Sequence, residues 1–294
     1  MKNRKVSFIL SFIVGLTFTS TGLTLMLLDM ADLGMSIFFF LPLAIGISSG
    51  LLPNLKQAFL GTLASLAVFS VFVIATKIEG VICLLMAAPI LLTAVWIGWW
   101  IGKMLRKNKG EPDVKASFAP ILIFIVANIL ELFSGSSAVP DASTTSMVLN
   151  GTPEAVYAEI IEVDTVDVET NLLHKIGLPT PRKCVLTAAQ VGGLRLCDFE
   201  EGRIVETIQE LVPNEYLRME VTEVELGHER TWLTFDEDIY QIEDLGDGTT
   251  RISRTTTYSS TLKPRIYWAY MEHLTIESEH DFVFRNLRKD VEGR

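Results

Sequence analysis

The stretch "GLRLCDFEEGRIVETI", residues 193–208, predicts a β-hairpin, and the fold of the second half of the chain depends on it. Two runs of alternating side chains flank an acidic turn that contains Gly202, a pattern typical of hairpins. Because side chains alternate between the two faces of a strand, Glu206 shares a face with Ile204 and Ile208. The opposite face carries Leu194, Leu196 and Val205. Both faces are therefore partly apolar, and we expect the face of Glu206 to be the inner one.

The turn also predicts a register for the hairpin. With Glu201 and Gly202 at its tip, Cys197 lies opposite Glu206, and Arg195 lies diagonally from Glu206 on the same face. Diagonal neighbours are about 7–8 Å apart, a distance that two long side chains can bridge. Because an ionised carboxylate is costly to bury alone, we predict that Arg195 pairs with Glu206.

Strand and helix patterns surround the hairpin. Residues 152–163 begin with Thr152 and Pro153, which predict a helix start, and "LGDGT" at 245–249 predicts another hairpin. The last element is a long helix over about 264–291. The predicted strands are 145–149, 194–199, 203–211, 216–224, 232–235, 239–244 and 250–258. This order predicts an α+β domain in which a curved antiparallel sheet wraps around the C-terminal helix.

The C-terminal helix carries one stripe that is expected to face the sheet. Helical spacing places both His273 and His280 on this stripe. Its apolar members are Ile276, Val283, Leu287 and Val291. A metal site of His273, Glu277 and His280 is the least favoured interpretation, because the spacing is not a standard motif. A histidine bonded within the core is favoured, and a histidine that contacts a ligand comes next.

The first half of the chain predicts a bundle of membrane helices. Residues 1–133 have 10 lysines and arginines against 6 acidic residues, whereas residues 134–294 have 15 against 29. The acidic second half argues against a nucleic-acid surface. Apolar runs of about 20 residues cross a bilayer, and the predicted spans are 6–28, 33–52, 55–76, 81–102 and 117–133. A linker over 134–142 then leads into the domain over 143–294.

The basic residues predict the orientation of these spans. They concentrate at the N-terminus, at Lys56 and in the 103–115 loop, which all lie on the cytoplasmic side if there are five spans. The soluble domain is then extracytoplasmic, but it is cytoplasmic if the fifth run does not cross. In the first case Cys184 and Cys197 could form a disulfide. The first run is long for a cleaved signal peptide, so we expect it to be retained.

A few residues inside the spans stand out. Gly46 and Gly50 form a G-x-x-x-G pair, a feature of closely packed helices. The fifth run contains Asn128 and Glu131, and we interpret Glu131 as an interfacial residue near the end of its helix.

Four motifs of the second half resemble those of a known superfamily. They are "VGGLRLCDFEEGRIVETI", "GTTRISRTTTY", "LKPRIYW" and "EHLTIESEHDFVFRNL", at 191–208, 248–258, 262–268 and 272–287. Residues 143–294 thus resemble SRPBCC domains, the START-like and polyketide-cyclase-like helix-grip proteins, and in particular bacterial members fused to membrane spans. The pattern of those members has Gly in place of Arg254 and Trp in place of Thr257.

The resemblance implies an apolar cavity between sheet and helix that holds a lipid or another hydrophobic molecule. Predicted ligand-binding residues are Arg195, Glu206, Arg254, Tyr258, Trp268, His273 and His280. No catalytic residue, cofactor or metal is predicted, and the expected partners are membrane lipids and a hydrophobic small molecule at a bacterial plasma membrane. One alternative is a cyclase-, dehydratase- or hydrolase-like enzyme that uses Glu206 or His280 for acid–base chemistry. Another is a regulatory or structural domain that docks a partner protein.

Overall fold

The computed structural model describes residues 2–106, 114–135, 137–163, 165–200, 202–226 and 232–293. The chain forms two compact units. We call residues 1–137 with 261–265 the helical unit, and residues 138–260 with 266–294 the sheet unit. Part of the basic loop predicted over 103–115 lies outside the described residues.

The helical unit contains six α-helices and one π-helix among its described residues. The π-helix spans Ser36–Phe40. The α-helices are α1 (Lys2–Leu27), α2 (Leu41–Gly50), α3 (Leu55–Ala75), α4 (Val81–Leu105), α5 (Val114–Phe118) and α6 (Ile121–Ser134). Within the described ranges, four helical segments are long and apolar enough to cross a membrane: Arg4–Leu27, Leu55–Ala75, Val81–Leu105 and Val114–Ser134. The second predicted span forms the shorter helix Ser36–Gly50, which at 1.5 Å per residue is about 22 Å long against a hydrocarbon core of about 30 Å.

Helices α2 and α4 approach each other closely through glycine. A Cβ atom on Gly46 would lie 2.1 Å from the carbonyl oxygen of Val95, and one on Gly98 would lie 2.1 Å from that of Leu43. Gly50 meets the backbone of α4 in the same way. The prediction of helix packing at Gly46 and Gly50 is therefore confirmed, because no larger residue fits at this separation.

The polar residues of α6 bind the beginning of the second helix. Glu131 accepts hydrogen bonds from the backbone amides of Met35, at 2.8 Å, and Ser36, at 2.9 Å. The Asn128 side-chain amide donates to the carbonyl oxygen of Met30 at 2.7 Å. Free amides at a helix start favour a carboxylate, so Glu131 has a specific partner that its interfacial interpretation did not include.

The sheet unit is built on one antiparallel sheet. Its strands are β1 (Val139–Asn150), β2 (Pro181–Leu186), β3 (Leu194–Phe199), β4 (Gly202–Val212), β5 (Tyr216–Leu226), β6 (Leu233–Asp244) and β7 (Thr249–Ser260). Their order is β1-β7-β6-β5-β4-β3-β2. β1 begins four residues before the predicted start of the domain, β2 was not predicted, and β6 is one strand where two were predicted.

In the part of the sheet unit that the structure describes, three helices accompany the sheet: α7 (Pro153–Ile161), α8 (Leu172–Lys175) and α9 (Arg265–Glu292). The inner face of the sheet packs against α9 through Phe284 and Leu287, which share a core with Ile208, Met219 and Ile252. The predicted fold class, a helical bundle followed by a sheet that curls around a C-terminal helix, is confirmed.

The predicted register of the first hairpin is wrong by two residues. Arg195 pairs directly with Glu206, and Cys197 pairs with Ile204. The predicted Arg195–Glu206 contact is nevertheless formed, because the shift by two keeps both side chains on the same face. Of the two predicted tip residues, Glu201 lies outside the described residues.

Gly202 explains the shift. It is the first residue of β4 and pairs with Phe199, so the turn precedes it. A Cβ atom at Gly202 would lie 1.5 Å from the carbonyl oxygen of Glu225 on β5, and its φ is +145°. The glycine is thus needed for the close approach of β5, and not as the second turn residue that the sequence pattern indicated.

Candidate functional site

An ion pair lies on the inner face of β3 and β4. Arg195 donates to Glu206 at 2.8 Å, and the two side chains are 4% and 5% exposed. Arg195 also donates to the carbonyl oxygen of Ile160 at 3.2 Å. Leu194, on the other face, is 38% exposed. The prediction that the Glu206 face is the inner one is therefore confirmed.

Arg254 forms a second buried group with two carboxylates. It donates to Asp238 through Nη2 at 2.6 Å and through Nε at 3.1 Å. Its Nη1 donates to Glu279 on α9 at 2.8 Å. Arg254 points inward because it alternates with the buried residues Ile252 and Thr256 along β7. The sheet and the helix thus both supply a carboxylate to one guanidinium.

The Tyr240 ring connects the two groups. The guanidinium of Arg195 lies 5.8 Å from its centroid and that of Arg254 lies 5.5 Å from it, both within the range of cation–π contacts. We call the five ionisable residues the charged cluster: Arg195, Glu206, Asp238, Arg254 and Glu279. It contains three carboxyl groups and two guanidinium groups, so full ionisation would leave one uncompensated negative charge in the interior.

Burial and the neighbouring charges together set the pKa values of the acidic residues in the charged cluster. Burial raises the pKa of Glu206 to about 7, although Arg195 opposes the shift. Burial also acts on Asp238, but Arg254 outweighs it and brings the pKa of Asp238 to about 2. Burial raises the pKa of Glu279 as well. A proton in the charged cluster therefore belongs on Glu206 before Asp238.

His280 lies in the core with both ring nitrogens bonded. Its Nε2 is 2.8 Å from the Thr256 hydroxyl, and its Nδ1 is 3.1 Å from the Thr145 hydroxyl. Thr256 donates its only hydroxyl proton to Asp238, so it accepts from Nε2–H, and Nδ1 accepts from Thr145. Burial and the nearby Arg254 lower the pKa of His280 to about 3, which keeps the ring neutral.

The other three predicted residues lie apart from these contacts. Tyr258 and Trp268 are buried. The His273 ring contacts Tyr258 edge-on, with 6.3 Å between centroids, and its Nε2 lies 3.2 Å from Asp141. The His273 side chain is 36% exposed, so it lies at the boundary between the interior of the sheet unit and solvent. In the described part of the chain, no group of three or more metal-ligating side chains is assembled, and this includes the neighbourhood of His273 and His280.

A disulfide joins β2 to β3 beside the charged cluster. Cys184 and Cys197 are paired across the two strands and bonded to each other. The sulfur of Cys197 lies 3.9 Å from the Glu206 carboxylate. The disulfide that the sequence left open is therefore formed next to Glu206, a carboxyl group whose pKa is raised to about 7.

Several residues of the site were not predicted from the sequence. Asp238 and Tyr240 alternate with Ile242 on the inner face of β6, and this alternation was a usable signal. It was missed because residues 236–238 fell between two predicted strands. Glu279 follows Ile276 by three residues, a helical spacing that places it on the sheet-facing side.

Comparisons with known proteins add little beyond the fold. No family model matches the sequence, and no curated protein matches it. Norcoclaurine synthase from Thalictrum flavum is similar in structure, with 13% identity, a TM-score of 0.38 and coverage of 54% of this chain and 90% of that one.

Two further structures show a similar level of likeness. A START superfamily protein from Mycobacterium smegmatis has 13% identity and a TM-score of 0.38 over 52% of this chain and 97% of that chain. Aha1 from Colwellia psychrerythraea has 14% identity and a TM-score of 0.34 over 52% and 96%. By its own strand order and C-terminal helix, the sheet unit has the helix-grip fold of SRPBCC and START-like domains, as its motifs predicted.

Proposed function

We propose that this chain is a multi-pass membrane protein whose helix-grip domain binds a hydrophobic small molecule, with membrane lipid as the leading candidate. Two features support the proposal: the described part of the helical unit has four segments that are long and apolar enough to cross a membrane, and the sheet unit has a helix-grip fold. Ligand pockets are mostly apolar and use a few polar groups to fix orientation.

The charged cluster is the observation that carries the proposal. Replacing a buried ion pair with apolar residues is often neutral or stabilises a protein by about 1–4 kcal/mol. Five ionisable groups between sheet and helix are therefore not explained by stability alone. Interior groups with strongly shifted pKa values are candidates for functional residues, and Glu206 is such a group.

The hydrogen bonding of Arg195 favours a ligand with an acceptor atom. Among the described residues, the Arg195 Nε is buried and has no hydrogen-bond partner. We propose that a carbonyl, hydroxyl or ester oxygen at the polar end of the ligand accepts this bond. Arg254 and His280 would hold the surrounding groups in place, Tyr258 and Trp268 would contact the apolar part, and His273 would lie at the entrance.

Native mass spectrometry of the full chain, released from membranes in mild detergent, tests this proposal. We expect a retained apolar molecule in the wild-type protein and its loss in Arg195→Met. Arg251→Met is the matched control, because Arg251 pairs with Glu243 on the outer face of the same sheet. A wild-type protein that never carries such a molecule, or equal retention in both variants, would overturn the proposal.

An acid–base enzyme is the second candidate, and one observation favours it. A general acid or base works best with a pKa near the working pH, and the pKa of Glu206 is about 7. His280 is less suited, because both of its nitrogens are bonded to threonine hydroxyls. Once a ligand is identified, loss of turnover with unchanged binding in Glu206→Gln would favour the enzyme. Turnover that survives this substitution would exclude Glu206 as the acid or base.

We also propose that the sheet unit is extracytoplasmic in a bacterial plasma membrane, with the shorter helix Ser36–Gly50 crossing as the fifth span. The disulfide Cys184–Cys197 supports this side, since disulfides persist in oxidising compartments. Alkaline phosphatase, which is active only outside the cytoplasm, can be fused after the last residue. Active enzyme is expected, whereas an inactive fusion together with an active cytoplasmic reporter at the same position would contradict the proposed orientation.

A further inference from the structure

Helix α9 exposes an apolar stripe at its N-terminal end. Ile266 is 91% exposed, Tyr270 is 64% exposed and Leu274 is 43% exposed. Residues four apart share one face of a helix, so the three side chains form a continuous strip over two turns. We call these three residues the apolar stripe.

Charge changes along the same face of the helix. Glu277 and Asp281 continue this face and are exposed, so the stripe gives way to acidic residues. In the sequence, Lys263 and Arg265 come directly before it. Along the sequence this segment therefore runs from basic through apolar to acidic, in a half of the chain that has 15 basic against 29 acidic residues.

The start of β1 lies close in sequence to α6, the last apolar helix, and it pairs with the strand that precedes α9. Only residues 135–138 separate α6 from β1. The first residue of β1, Val139, pairs with the last residue of β7, Ser260, and α9 begins five residues later. The N-terminal end of α9 thus follows the end of β7 that pairs with the start of β1, and β1 follows α6 in the chain after four residues.

We infer that the apolar stripe of α9 docks on the surface of the lipid bilayer. Interfacial helices combine an apolar face containing aromatic residues with flanking lysine or arginine, which is the composition of this segment. A second copy of the chain fits less well, because three side chains cover far less than the roughly 800 Å² per partner of a stable interface. Glu277 and Asp281, farther along the face, are exposed acidic residues, and we expect them to stay in water because a charged side chain is costly to move into an apolar environment. This inference rests on the proposal that the chain is anchored in a membrane.

Fluorescence quenching by brominated lipids tests the inference on the full chain in nanodiscs. Cys83, which lies outside the disulfide, is first replaced by serine. Bimane is then attached to Tyr270→Cys in the stripe, to Asp281→Cys further along the same face, or to Val68→Cys on α3. Val68 is 50% exposed within a membrane-length helix and reports whether that helix lies in the bilayer.

We expect brominated acyl chains to reduce emission about twofold at position 270, since an interfacial helix buries its apolar face roughly 5–10 Å deep. Quenching at Asp281→Cys should be near zero, and quenching at Val68→Cys should be strong. Adding Ile266→Asp should restore emission at position 270. Quenching at 270 no stronger than at 281, with Val68→Cys quenched, would overturn the docking inference alone. An unquenched Val68→Cys would overturn the membrane proposal and the docking inference together.

Discussion

Glu206 is expected to make the sheet unit less stable as the pH rises through neutrality, and Glu206→Gln should remove this dependence. The Glu206 side chain is buried and pairs with Arg195. Its pKa is about 7 in the folded protein. In the unfolded chain the ordinary pKa of the group is 4.5. The glutamine variant keeps the size of the protonated side chain but has no proton to lose.

The sign and size of the effect follow from these two pKa values. Between 4.5 and about 7 the folded state holds a proton that the unfolded state has already released, so the free energy of unfolding falls as the pH rises. The stabilising contribution is complete below 4.5 and lost above about 7. A difference of that size corresponds to about 3 kcal/mol, at 1.36 kcal/mol for each unit of pKa. Asp238 acts in the opposite sense and only at lower pH, because its pKa of about 2 is below its ordinary value of 3.8.

Hydrogen exchange of the full chain in nanodiscs measures this effect. The free energy of opening is obtained from the β3 and β4 amides at about pH 5 and about pH 8. Between these pH values the wild type should lose about 3 kcal/mol of opening free energy relative to Glu206→Gln. Glu210→Gln is the matched control, because Glu210 lies on the same strand with a half-exposed side chain. Parallel pH profiles for the wild type and Glu206→Gln would refute the assignment of the proton to Glu206.

Three further variants test contacts that lie within one unit or the other. Arg195→Met should destabilise the sheet unit by about 3–5 kcal/mol at neutral pH, because it leaves Glu206 buried without its partner, and hydrogen exchange should show recovery when Glu206→Gln is added. Gly98→Ala places a Cβ atom 2.1 Å from the carbonyl oxygen of Leu43, so thermal unfolding in detergent should show a loss of about 1–3 kcal/mol; an unchanged midpoint would contradict the close packing of α2 and α4. Glu131→Ala removes the acceptor of two backbone hydrogen bonds, each worth about 0.5–1.5 kcal/mol, and exchange of amides 35–40 should accelerate while that of α3 does not.

The sequence predicted the architecture because long-range order in this fold follows from short-range patterns. The alternation around Glu206 identified the inner face, and helical spacing identified the sheet-facing side of α9 at Ile276 and His280. These inferences need only the periods of a strand and a helix. The register of the hairpin could not be predicted from these periods alone. Gly202 allows the close approach of β5, and this contact is not encoded in the hairpin sequence.

The charged cluster was predicted only in part for a similar reason. Arg195 and Glu206 are neighbours on one hairpin, so local pairing rules apply. Arg254 meets Asp238 from the neighbouring strand and Glu279 from α9, and those carboxylates are 16 and 25 residues away in the chain. Nothing local predicts that one guanidinium receives two carboxylates, yet this sharing decides which acid in the interior holds a proton.

The two halves of the charged cluster therefore differ in what they leave for a ligand. Arg254 is engaged by two carboxylates, and Asp238 also accepts from Thr256. Arg195 binds one carboxylate and retains a buried Nε without a partner among the described residues. The Arg195–Glu206 pair thus combines an unused donor with a carboxyl group whose pKa is about 7. An acceptor atom bound at the Arg195 Nε would share the guanidinium with Glu206, which is bonded to Nη1, and a ligand donor would compete with the proton on Glu206. The atoms that set the pH dependence of stability are for this reason the same atoms that a ligand would use, so binding and protonation must be linked.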